Sequence, residues 1–133
     1  MTKIEILDFV VNHFNTHPRA VIPGSASCTY LNQITGDRCA HSICIEDSVL
    51  ETIVADVNTL GLYSLSSGAE TLIRIFGDDM HKPEFRGHDI KFWEDVQWLH
   101  DKESNWIEIA DGNELSMEGS LVLSALKVKY KNN

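Results

Sequence analysis

Three Ser/Thr-x-x-Glu pairs stand directly before apolar runs and set where helices begin: Thr2 with Glu5, Ser48 with Glu51, and Ser67 with Glu70. In such a pair the hydroxyl accepts from the N–H three residues on while the Glu reaches back to the cap's own N–H, satisfying two orphan donors. After the first, Leu7, Val10, Val11 and Phe14 recur at helical spacing until Pro18. After the second, Val49, Leu50, Ile53, Val54, Val57 and Leu60 line a face closed by Gly61. The third opens a short helix, Thr71 to Phe76, stopped by Gly77, and Asp89 can cap a fourth, Ile90 to His100, with Phe92, Trp93, Val96 and Leu99 inward.

Strands are expected between and after these helices. Ser27–Leu31 and Arg38–Ile45 flank the loop signal Thr35-Gly36-Asp37 and read as a small hairpin bearing Cys28 and Cys39. Trp106–Ala110 and Glu114–Met117 flank Asp111-Gly112, a second hairpin signal. Leu126, Val128 and Tyr130 alternate with three lysines at strand period, so a C-terminal β-meander is preferred over a helix from Leu121 to Lys129. The expected fold is one α+β domain spanning residues 1–133, helix-dominated, with a cysteine-bearing hairpin and C-terminal strands. Gly77 to His88 lacks a period and reads as a long surface loop.

Charge limits function. Residues 46–126 hold 17 acids and five bases, whereas residues 1–45 are neutral. So acidic a segment repels phosphate backbones, which argues against direct nucleic-acid binding and fits a basic protein partner or a solvated face. No apolar stretch approaches 18 residues, the start lacks a signal-peptide pattern, and three cysteines are an odd number, so a soluble cytoplasmic protein is expected.

Cys28-x-Tyr30, Gly36-x-x-Cys39-Ala40 and Ile45-x-Asp47, followed by Gln97-Trp98-Leu99-His100-Asp101 and then Trp106, resemble a family of short uncharacterised proteins from bacteria and their phages. Those proteins show C-x-Y-R, G-x-x-C-A-V-G-C-L-I and P-D-E in that order, then a helix reading L-Q-x-x-H-D. The chain departs from them at Leu31, at His41-Ser42, and at Ile43, which stands where the family has its third cysteine, one position before Cys44. The resemblance implies a small accessory protein of phage type and supplies no catalytic residues.

Four chemical constellations stand out. Cys28, Cys39, His41 and Cys44 are soft ligands of the kind a structural zinc site uses, although on a strand Cys39 and His41 would face away from Cys44. Cys39 between Arg38 and His41 is a candidate nucleophile only if its pKa is lowered. His88-Asp89 and His100-Asp101, with Asp78, Asp79 and His81, suggest a metal-dependent hydrolase. Phe85, Trp93, Trp98 and Trp106, with Arg74 and Arg86 near them, suit an aromatic docking surface for a host protein, or a pocket for a nucleotide signal. Trp93 and Trp98 lie five apart, so one should be core and the other exposed. The leading expectation is an accessory protein that modulates a host protein, such as one of defence or nucleic-acid processing, through its acidic, aromatic surface.

Overall fold

The computed structural model describes residues 1–20, 31, 35–59 and 68–132. Cys28, Tyr30, Gly61 and Ser67 lie outside them. The described residues form five α-helices and one antiparallel hairpin: α1 (Lys3–Asn15), α2 (Asp47–Thr59), α3 (Gly68–Phe76), α4 (Ile90–Asp101), β1 (Trp106–Ile109), β2 (Gly112–Leu115) and α5 (Met117–Lys129). A helix-dominated α+β fold results. No helix among the described residues is long and apolar enough to cross a membrane.

α1 opens on the capping box its sequence encodes. Thr2 Oγ1 accepts from Glu5 N at 3.1 Å, and Glu5 Oε1 accepts from Thr2 N at 2.9 Å. Its Ile6, Leu7, Val10 and Phe14 pack against Phe92, Trp93, Val96 and Leu99 of α4 in the main core. A second cluster holds Cys39, Ile45, Leu50, Ile53, Leu72 and Met80. α2 begins at Asp47, two residues before Val49, so Ser48 lies inside its first turn and its carbonyl accepts from the Thr52 hydroxyl.

Two strand expectations are corrected. After an isolated bridge between Leu31 and Arg38, the chain turns at Ala40-His41 and enters a 3₁₀ turn at Ser42–Cys44. Ser42 causes the curl: its hydroxyl donates to Cys39 O at 3.0 Å and its N–H donates to Cys39 Sγ at 3.4 Å, local bonds that compete with strand pairing. At the other end residues 117–129 are a helix instead of strands of a β-meander. Ser116 caps it by accepting from Gly119 N at 3.0 Å, and burial falls on Leu126 and Tyr130, four residues apart, leaving Val128 outside.

The hairpin between them is present. Its two-residue turn is Ala110-Asp111, with Gly112 already paired to Ile109. A Cβ at Gly112 would lie 2.6 Å from Asn15 O, so glycine lets β2 close on the end of α1. Asp95 ties α4 to α5 by accepting from Lys129 Nζ at 2.7 Å and from the Tyr130 hydroxyl, with only 8% of its surface exposed. Asp95→Ala is expected to lower stability by about 2 kcal/mol, because it strands a buried phenol as well as losing two bonds. The urea midpoint measures this.

Candidate functional site

The structure separates the residues that the sequence grouped. Phe85, Trp93 and Trp106 are buried, at 2%, 0% and 8% exposure, while Trp98 is 49% exposed. Trp93 shares the inward side of α4 with Phe92, Val96 and Leu99, so it is the core member of the pair, and Trp98 lies under Lys102 Nζ at 5.3 Å. Trp106 donates its indole N–H to Leu99 O at 3.0 Å. An aromatic surface built on all four rings is therefore corrected to a single exposed indole. Arg74 pairs with Glu70 at 2.8 Å on its own helix. Arg86 donates to His81 O at 2.8 Å and to Asp79 O at 3.1 Å, fastening the loop from Gly77 to His88 on itself.

The cysteine constellation does not converge among the described residues. Cys39 Sγ accepts from Ser42 N, Cys44 Sγ faces Ala40 O, and His41 Nε2 meets His81 Nε2 at 2.8 Å. Burial pushes the Cys39 thiol up to about 11 and the Cys44 thiol well above its ordinary value, so neither is a ready thiolate. Cys28 lies outside the described residues, and no group of three His, Cys, Asp or Glu among them could hold a metal ion. The Asp78–His81 and His100–Asp101 pairs belong to separate arms of a hydrogen-bonded chain.

That chain is the polar centre of the molecule. Asp78 Oδ1 and Asp78 O lie 3.0 and 3.1 Å from His81 Nδ1, which has to donate to them. His81 Nε2 then carries the lone pair and accepts the Nε2–H of His41. From the same turn His41 N donates to Gln97 Oε1 at 3.1 Å, and Gln97 Nε2 donates to Asp101 Oδ1 at 2.9 Å. Asp101 Oδ1 also accepts from His100 Nδ1 at 2.8 Å. Arg19 closes the end of α4 by donating to His100 O and Asp101 O at 2.9 and 3.1 Å. His41, His81 and His100 have no exposed surface, and burial, the main cause, holds all three below the ordinary imidazole range, with Asp78 and Asp101 opposing at two of them. The arrangement joins the turn at 41–44, the loop at 78–85 and α4 into one unit.

The surface offers a different feature. Met117, Leu121 and Val128 are 84%, 67% and 75% exposed, with Ser124 between the last two. Steps of four, three and four residues keep all four on one stripe, directly opposite the buried Gly119, Leu126 and Tyr130. α5 is thus apolar on both faces. Ile107 and Ile109 of the preceding hairpin are exposed as well. The only sequence signal for this face was the helical reading of Leu121 to Lys129, which strand alternation outweighed.

Comparison with protein-family models, with curated proteins and with solved structures finds no match to this chain.

Proposed function

We propose that this chain is an accessory protein of phage type that acts by docking onto a partner protein, and that the outer face of α5 makes the contact. The carrying observation is the stripe Met117, Leu121 and Val128, three large apolar side chains left in water by a helix whose opposite face already fills the core. Burying such a stripe recovers about 25 cal/mol for each Å² of apolar surface removed from water, and its four-three-four spacing suits a partner that presents a helix or an apolar groove. Trp98 remains the one aromatic from the sequence pattern that is available to a partner. Glu118 flanks Met117 at one end of the stripe and Lys127 and Lys129 flank Val128 at the other, so a partner with charges of both signs at its rim fits this face.

The test compares the wild type with Leu121→Glu/Val128→Glu as bait in bacterial lysate, followed by titration of any protein identified. Both positions are exposed, so the fold should lose no more than about 0.5 kcal/mol per site, verifiable by circular dichroism. The expected result is at least tenfold weaker binding by the double variant, with Ile75→Glu, an exposed apolar site on α3, unchanged. Equal binding by all three proteins would remove α5 as the docking face.

A further inference from the structure

A cleft of 340 Å³ lies beside the C-terminal half of α1, and its lining carries more basic than acidic side chains, unlike the protein as a whole. Phe9, His13 and His17 line it from α1 and its end, and Arg38, Ile43 and Lys82 line it from the facing segments. Asp37 is the one carboxylate among the described lining residues. In a chain of net charge −9, this concave site gathers two permanent cations and two imidazoles. Low-dielectric walls focus such a field.

The cations are differently committed. Arg38 Nη1 donates to Asp47 Oδ1 at 3.0 Å, which fixes the guanidinium at the rim. No carboxylate among the described residues lies within ion-pair distance of Lys82. The α1 side is flat and aromatic: the His13 and His17 rings stack at 4.1 Å and 6°, and Phe9 packs on Phe85 at 5.1 Å. Partial burial, first of all, holds His13 down to about 4, with Arg38 and Lys82 acting in the same direction.

We propose that this cleft binds a small phosphate-bearing molecule with a flat ring, a nucleoside monophosphate, its phosphate between Lys82 and Arg38 and its base against the side formed by Phe9, His13 and His17. Charge-assisted bonds to a phosphate and stacking on a ring are separate contributions, so neither fragment alone should match the whole. The volume falls in the range of small-ligand sites. This site lies apart from α5 and does not depend on the docking reading.

Calorimetric titration at pH 7.5 and low salt, with adenosine monophosphate, inorganic phosphate and adenosine as probes, tests it. The monophosphate is expected to bind at least tenfold more tightly than either fragment and to shift the His13 ring proton resonances. Lys82→Glu and Lys82→Met should each weaken it tenfold or more, whereas Lys131→Glu, an exposed lysine of the C-terminal turn, should change it less than twofold. Absence of binding at millimolar monophosphate, equal affinity for either fragment, or equal loss in the Lys82 and Lys131 variants overturns the assignment.

Discussion

Acidification from pH 7 to pH 5 is expected to remove a large part of the protein's stability, with the loss beginning near pH 6.5. Five of the six histidines, His13, His41, His81, His88 and His100, have folded-state pKa values below the ordinary value, burial being the first cause at each. Below pH 6.5 the unfolded chain therefore binds protons that the folded chain refuses. Their contribution is fully present above the unfolded pKa and is lost as pH falls toward each folded value. A site that stays neutral costs about 1.4 kcal/mol for every pH unit below 6.5, and His41, which burial holds well below that value, contributes to the loss throughout this range. Domains of this kind have only about 5–15 kcal/mol in total.

The geometry explains why His41 and His81 resist protonation. Their Nε2 atoms are 2.8 Å apart, and one must lack hydrogen for the other to donate. A second proton would set two N–H groups against each other inside the core. The acids whose pKa values are lowered, Glu5, Asp47, Asp95 and Glu118, lose their contributions near pH 4 and below, so the first stage of acid unfolding belongs to the histidines. Urea midpoints at pH 7, 6 and 5 measure this. A midpoint that stays level down to pH 5.5 would contradict the burial of the chain from Asp78 to His100.

α1 and α4 were legible because a start signal and a helical period coincide in each: Thr2 and Glu5 ahead of Leu7, Val10 and Phe14, and Asp89, which holds the N-cap position without a side-chain capping bond, ahead of Phe92, Trp93, Val96 and Leu99. α5 was not, because its two apolar faces cancel the helical period. In the same residues Leu126, Val128 and Tyr130 mimic strand alternation. Trp93 and Trp98 show the limit for surfaces. Their spacing required one inside and one outside, but nothing local revealed that Phe85 and Trp106 would also turn inward.

The polar centre was legible as residue types and illegible as partners. His41 read as a zinc ligand and His81 as a hydrolase ligand, yet each is the other's hydrogen-bond partner across 40 residues. The cleft joins His13 and His17 of the first helix and its end to Lys82 by the same kind of long-range closure. Helix period places such residues on a face but does not say which distant loop will cover it.

Gly119→Ala is expected to destabilise the protein by about 3 kcal/mol, although alanine is the better helix former by about 1 kcal/mol. Gly119 sits in the first turn of α5 against the backbone of Asn105, whose carbonyl oxygen occupies the place a Cβ would need and whose carbonyl carbon would be 2.8 Å from it. Asn105 cannot easily yield. Its carbonyl accepts from Ser116 N at 2.9 Å, its side chain donates to Leu99 O at 3.1 Å, and the Ser116 hydroxyl donates to Ser104 O. Moving α5 outward would instead pull Leu126 and Tyr130 from the core and Lys129 from Asp95. Helix propensity and packing thus predict opposite signs, and the urea midpoint of one variant decides between them. A neutral or stabilised Gly119→Ala protein would mean that α5 does not pack on the 103–105 turn, and the outward direction of Met117, Leu121 and Val128 would fall with it.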